Sequence, residues 1–202
     1  EAIAINRENS LYVADTYNNR IQKFTSSGKF LLTWGSIGNG DGELNHPCGI
    51  ALDPVGNVYV ADTDNHRIQK FTASGKFIFA WGKKGTEEGQ FNGPQGIAID
   101  KSGNIYVADT RNSRIQKFSS EGAFLVAWSA GTKPEGIAVD SNGNVYLSDT
   151  RGNCIRKYSP TPGPTPSPTP GPTPSPTPGP TPSPTPGPTP SPTPGPTPSP
   201  TP

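Results

Sequence analysis

The chain has 202 residues, with 17 Lys and Arg against 16 Asp and Glu, for a net charge of +1. A balance this close gives no long-range pull toward nucleic acid or an anionic membrane, and no apolar run is long enough to span a bilayer. All but four of the 26 prolines lie beyond Ser159, which separates an ordinary part, 1–158, from a low-complexity part, 159–202.

Residues 1–34 open on Ala2-Ile3-Ala4-Ile5-Asn6, then Leu11-Tyr12-Val13-Ala14-Asp15-Thr16. The second unit, 35–81, repeats this plan in its fullest form. Ile50-Ala51-Leu52 is a short apolar run closed by Asp53 and a Gly56-Asn57 turn signal. Val58 to Ala61 is β-branched, aromatic and apolar. Arg67 to Phe71 alternates long polar and apolar side chains, and Phe77 to Trp81 is apolar again, with Trp81 expected to be buried between blades. These features predict four short strands per unit, separated by Gly, Asn, Asp and Ser. Sustained helical periodicity is missing, which excludes a helical solenoid. The third unit, 82–128, carries Ile105 to Thr110, and the fourth, 129–158, carries Val145 to Thr150. The Asp-Thr pairs at Asp15, Asp62, Asp109 and Asp149 are spaced 47, 47 and 40 residues apart, a period of propellers, solenoids and arrays. Four-stranded units at this spacing predict an all-β propeller, whose blades are covered on both faces and so read apolar on both sides.

Two long connections, 35–48 and 82–95, place Leu44 and Phe91 at equivalent positions, where each is expected to plug the seam between blades. The fourth unit has a short connection, Ser129 to Glu135, and nothing after Tyr158 matches the outer strand Phe77 to Trp81. An open strand edge is a pairing liability. The expectation is therefore that the chain is no closed, isolated four-bladed monomer, and that either further blades of a parent protein or neighbouring chains cover the edge. A start at Glu1 with no methionine is expected of a processed form or a fragment, and no signal peptide is visible.

The motifs Pro-x-Gly-Ile-Ala-x-Asp, Gly-Asn-x-Tyr-Val-Ala-Asp-Thr, Asn-His-Arg-Ile-Gln-Lys-Phe and Trp-Gly, in register over 1–158, resemble the NHL repeat. That resemblance implies a β-propeller, commonly six-bladed. Four units depart from that number, and the Asn-His pair is incomplete at Asn18-Asn19, Asn112-Ser113 and Gly152-Asn153. Some NHL relatives bind RNA and some are amidating lyases with metal-binding histidines, so these functions are weighed against the residues.

Asp15, Asp62, Asp109 and Asp149 could be catalytic or metal-ligating carboxylates, but recurrence in every unit favours side chains that cap their own hairpin turns. Arg20, Arg67, Arg114, Lys23, Lys70 and Lys117 could form an RNA surface, but they repeat singly with acids nearby and are expected to be solvated blade edges. His46 and His66 are the only histidines, fewer than the three or so protein ligands of a catalytic zinc site. Cys48 and Cys154 fall at different radii of different blades, so no disulfide is expected between them. The sequence expectation is a protein that is not an enzyme, with no cofactor, no metal and no nucleic-acid partner. One set differs in chemistry from blade to blade: Glu1, Cys48, Gln95 and Glu135 each precede an innermost strand. In a propeller they would ring the axial mouth, a natural ligand site. The alternative for them is ordinary loop variation.

The tail 159–202 repeats Gly-Pro-Thr-Pro-Ser-Pro-Thr-Pro. Proline restricts itself and its predecessor, so polyproline II is expected, reaching about 130 Å at 3.1 Å per residue. Ser and Thr beside proline read as an O-glycosylated stalk, with candidate positions Thr161, Thr165, Ser167, Thr169, Thr173, Ser175, Thr177, Thr181, Ser183, Thr185, Thr189, Ser191, Thr193, Thr197, Ser199 and Thr201. The alternative is an unmodified spacer. The resulting expectation is an extracellular or cell-surface protein for binding, display or assembly, with protein or glycan partners or copies of itself. A subunit of an extracellular fibre and a propeller lyase or hydrolase are the alternatives.

Overall fold

A computed structural model of the chain describes residues 2–159; Glu1 and the candidate glycosylation positions lie outside them. Fifteen strands form four antiparallel sheets in chain order. The first blade is β1 (Ala2–Ile5), β2 (Leu11–Asp15), β3 (Arg20–Phe24) and β4 (Phe30–Trp34). The second is β5 (Pro47–Leu52), β6 (Val58–Asp62), β7 (Arg67–Phe71) and β8 (Phe77–Trp81). The third is β9 (Pro94–Ile99), β10 (Ile105–Asp109), β11 (Arg114–Phe118) and β12 (Phe124–Ser129). The fourth has three strands among the described residues: β13 (Pro134–Val139), β14 (Val145–Asp149) and β15 (Cys154–Tyr158). This is the all-β propeller architecture expected, with the last blade short of its outer strand.

Each turn follows from local chemistry. Between β5 and β6, Asp53 Oδ1 accepts from the N–H groups of Val55 and Asn57, an Asx turn that leaves Gly56 at φ +94°. Asp100 repeats this between β9 and β10. The β6–β7 connection is one 3₁₀ turn, Thr63–Asn65, ending on His66 in the left-handed region at φ 56°. Asn19 and Ser113 end the equivalent turns with φ 53° each. The left-handed region disfavours most L-residues but accepts Asn and His several-fold more often.

Period-2 alternation then assigns the blade faces. Tyr12, Ala14 and Ile21 of the first blade meet Ile50, Val58, Val60 and Phe71 of the second. Tyr59, Ala61 and Ile68 meet Ile97, Ile105, Val107 and Phe118. Tyr106, Ala108 and Ile115 meet Val145 and Leu147. The core is thus three repeated seams. Leu44 and Phe91, both fully buried, plug the first two seams, as their positions in the sequence predict; Ala130 fills the third.

One burial expectation needs correcting. Trp81 is only partly buried, because the outer strand lies at the rim and turns one side to solvent. Its ring still meets Tyr59 and Phe118, at centroid separations of 6.3 and 5.8 Å. It also lies over Gly122 in the next blade's outer hairpin, where a Cβ would crowd the indole.

Candidate functional site

The innermost strands approach so closely that a side chain at Gly49 would run into the carbonyl oxygen of Gln95, and one at Gly96 into that of Glu135. Glycine at these two positions therefore brings the starts of β5, β9 and β13 together. The result is a cavity of about 310 Å³ lined by Cys48, Gln95 and Glu135 together with Ala2, Ile3, Ile50, Ile97 and Ile137. Three of the four residues read as an axial ring from the sequence are thus on one site; Glu1 lies outside the described residues. The cavity offers aliphatic walls and a polar rim of different chemistry at each blade. The Cys48 thiol donates to the His46 carbonyl at 3.4 Å. Glu135 pairs with Lys133 at 2.6 Å, with both side chains partly exposed, so the pair orients the carboxylate more than it stabilises the fold. The pairing of Lys133 with Glu135 was not foreseen; the signal was its place two residues before Glu135 across Pro134.

The repeated aspartates lie outside this cavity and do more than cap their own turns. Asp62 is fully buried and accepts from Arg67 Nε at 2.8 Å, Gln69 Nε2 at 2.9 Å, Asn65 Nδ2 at 2.9 Å and the Asn45 N–H at 2.7 Å. Arg67 reaches onward to the carbonyls of Asn39, Gly40 and Glu43 at 2.9, 2.7 and 2.9 Å. Asp109, Arg114 and Gln116 repeat the set against Thr86, Glu87 and Gln90. Asp62, Asp109 and Asp149 thus bind the preceding connection to their blade as well as their own hairpin turn, where Asn65, Asn112 and the Gly152 N–H also donate to them; among the described residues Asp15 bonds only within its own hairpin, to Asn18 and Arg20. Arg67 and Arg114 are not solvated edges: their side chains are 13% and 17% exposed. A carboxylate with only water and turn partners would leave Arg no reason to bury; the folded connection supplies the missing carbonyls. In the fourth blade Cys154 replaces the clamp arginine, and Arg156 at the Gln position binds Asp149 instead, at 3.0 and 2.9 Å. The hydrogen bonds from the backbone of Lys133 hold the Asp149 carboxyl well below the usual carboxylate range, and Arg156 and Thr132 add to this.

Threonine completes the junction. Thr16, Thr63 and Thr110 donate to the carbonyls of Pro47, Pro94 and Pro134 of the following blade at 2.8, 2.7 and 2.7 Å. The histidines also serve the framework. His66 Nδ1 accepts from the Gly93 N–H at 3.0 Å, which requires the neutral ring. Burial first, then Lys84 and Arg111, lower its proton affinity in the same direction. His46 Nδ1 lies 2.9 Å from Asp64. Lys23, Lys70 and Lys117 each sit 4.9 Å over the ring of Tyr12, Tyr59 or Tyr106. Burial and the neighbouring Asp53 or Asp100 push the phenols of Tyr59 and Tyr106 up beyond the usual tyrosine range.

The NHL repeat family matches residues 1–24, 44–71, 91–118 and 132–158, more than half of the chain. The chain belongs to the NHL-repeat family. A 50-residue stretch is 40% identical to the Protein brain tumor of Drosophila melanogaster, over 25% of this chain and 5% of that protein. Among solved structures, the virginiamycin B lyase from Staphylococcus aureus superposes with a TM-score of 0.59 and 18% identity, over 79% of this chain and 55% of that one. The WD40 β-propeller domain of Doa1 does so with a TM-score of 0.57 and 16% identity, over 76% of this chain and 48% of that one. This NHL-repeat chain thus spans about half the length of the solved structures it resembles. At these identities the likeness establishes the fold. It also corrects one expectation: a lyase shares this fold, so a fold of this kind with few histidines is no ground for calling the chain a non-enzyme.

Proposed function

We propose that this NHL-repeat propeller is a recognition module whose axial mouth takes a short polar ligand from a protein or glycan partner. The observation that carries the reading is the convergence of Cys48, Gln95 and Glu135 in one cavity. The surrounding Gly-Ile-Ala strands repeat from blade to blade while these three positions do not. A framework residue is constrained to repeat by its packing, whereas a site residue is free to diverge, and concave sites with aliphatic walls and a few polar groups suit ligands. Propellers of the NHL and WD40 kinds commonly mediate protein interactions, which supports the same reading.

In this reading the tail 159–202 carries the mouth away from a cell surface. Its Thr-Pro and Ser-Pro repetition supports O-glycosylation, and it has no charge with which to fold back on a partner. The test is a glycan and short-peptide array probed with the full chain, with each bound compound then checked for chemical change. A ligand whose binding drops at least tenfold in both Gln95→Ala and Glu135→Gln, with unchanged melting temperature, supports the mouth. Ligands indifferent to both substitutions refute it.

A further inference from the structure

A second cavity, of about 470 Å³, lies at the opposite end of the inner strands from the mouth. Cys48 and Gln95 stand at the starts of β5 and β9, whereas Leu52, Asp53, Ile99 and Asp100, at or just beyond their ends, line this one. The rest of its lining includes Asn6, Arg7 and Glu8 of the β1–β2 turn, Lys23 of β3, and Ala73 in the outer hairpin of the second blade. Its polar groups Asn6, Lys23 and Ala73 meet at the seam between the first and second blades. Both blades are within this chain, so nothing flanking it is needed to build the site.

The turn that ends an inner strand is the same in three blades and different in the first. Asp53, Asp100 and Asp140 each turn Oδ1 to backbone N–H groups of their own loop. Each Oδ2 accepts from the asparagine four residues on, at 2.8, 2.7 and 2.7 Å. It also accepts from the hydroxyl of Tyr59, Tyr106 or Tyr146, at 3.4, 3.2 and 3.2 Å. Lys70 Nζ stands 3.8 Å from Asp53 Oδ2. In the first blade the aspartate is Asn6 and the asparagine four residues on is Ser10. Asn6 Oδ1 accepts from the N–H groups of Glu8 and Ser10 at 3.1 and 2.8 Å, so Nδ2, a donor, takes the place of the second carboxylate oxygen. The groups around that place are now all donors: the Asn6 amide, the Tyr12 hydroxyl and the Lys23 ammonium. The last two share the Ala73 carbonyl, each at 3.4 Å. Lys23 keeps its seat 4.9 Å over the Tyr12 ring, but it meets an amide where Lys70 meets a carboxylate.

Charge in the cavity points the same way. Asp53 and Asp100 are committed to their own turns, which leaves Glu8 as the carboxylate set against Arg7, Lys23 and Lys101. Ile5, Leu52, Val55 and Ile99 give the cavity an aliphatic wall. Its volume falls in the range of roughly 300–1,000 Å³ typical of small-ligand sites, which combine apolar walls with a few placed polar groups. We propose that this cavity binds an aliphatic carboxylate, its head between Asn6 Nδ2, Lys23 and Arg7 and its hydrocarbon body along the aliphatic wall. The ligand supplies to the first blade the carboxylate that the other three blades supply for themselves. Hydrogen bonds from ammonium and guanidinium groups to a carboxylate are among the strongest available to a protein. A free branched-chain acid and the C-terminal residue of a peptide carry the same chemistry. The two cavities share no lining residue, so failure of this proposal leaves the reading of the mouth untouched.

The test is calorimetric titration of the full 202-residue chain with three probes: 4-methylpentanoate, a short acetylated peptide ending in leucine as the free acid, and the same peptide amidated. The two acids are expected to bind and the amide is not. Equal affinity for the acids assigns a free acid as the ligand, and tighter binding of the peptide assigns a chain terminus. Asn6→Asp gives the first blade the residue the other three carry, so it fills the site from within. Its binding is expected to fall tenfold or more with no loss of melting temperature. Arg7→Gln changes an exposed turn residue and is expected to weaken binding by roughly tenfold or more, as loss of one charge-assisted hydrogen bond implies. No binding of either acid at millimolar concentration, equal binding of acid and amide, or an Asn6→Asp chain that binds as tightly as wild type overturns the proposal.

Discussion

Replacing Phe91 with Ala tests the seam between the second and third blades. Phe91 is fully buried, packs 5.5 Å from Phe118 centroid to centroid, and leaves no room for a side chain at Gly82. Its neighbours are strands held in two hydrogen-bonded sheets, which limits collapse into the vacated space. Loss of transfer energy plus the cavity left behind puts the cost at about 3–5 kcal/mol. For a domain of this length that is a fall in melting temperature of roughly 6–20 °C. Phe91→Leu is expected to cost under about 1.5 kcal/mol, because Leu44 fills the same position one blade earlier. The assay is urea unfolding followed by tryptophan fluorescence with a thermal melt alongside, and the midpoint is expected to move with little change in slope. An Ala variant within about 1 kcal/mol of wild type, or Leu and Ala variants of equal cost, would refute the plug.

Three further outcomes follow from the geometry. Arg67→Ala, which strands the buried Asp62 and three connection carbonyls, is expected to cost about 3–5 kcal/mol; Arg20→Ala, whose pair is far more exposed, should cost under about 1 kcal/mol, and urea midpoints compare them. His66 has its proton affinity lowered by folding, so the unfolded chain takes up the proton first and stability is lost as pH falls through the ordinary histidine value of 6.5. Melting temperatures from pH 8 to pH 5 should show this loss reduced in His66→Asn, and equal slopes would sink it. A peptide of residues 159–202 is expected to give the circular dichroism of polyproline II, and the same segment released from protein of the native source to exceed its bare polypeptide mass by whole sugar units; a bare polypeptide mass removes the glycan.

Much of the fold was legible because its determinants are local. Alternation over five residues sets which side of a strand is apolar, as in Val58 to Asp62, and Asp53 with Gly56 encodes a turn without outside help. Leu44 and Phe91 could be assigned to the seams because a lone large apolar residue in a Gly-rich connection has few other places to go. Trp81 lies between blades as expected but is buried less fully, since the sequence does not say how far an outer strand lies from solvent. That Cys48, Gln95 and Glu135 would come together was legible in outline, since residues just before equivalent inner strands share an end of the blades. Lys133 escaped because its reach to Glu135 depends on the side-chain path around Pro134.

By itself, then, the sequence determined the number of blades present, their strands, the chain-order pairing of those strands and the residues that plug two of the seams. Each depends on period and turn chemistry within about fifty residues. Only the tertiary structure decided what the repeated charges do. Asp62 and Arg67 read as a turn cap and a solvated edge until the connection 35–46 folds over them and presents its carbonyls, which converts an exposed pair into a buried clamp. The same holds for burial along the inner and third strands. Ile3 and Ile155 carry the same residue type as their buried equivalents, and burial is a property of what lies alongside, which no strand encodes alone.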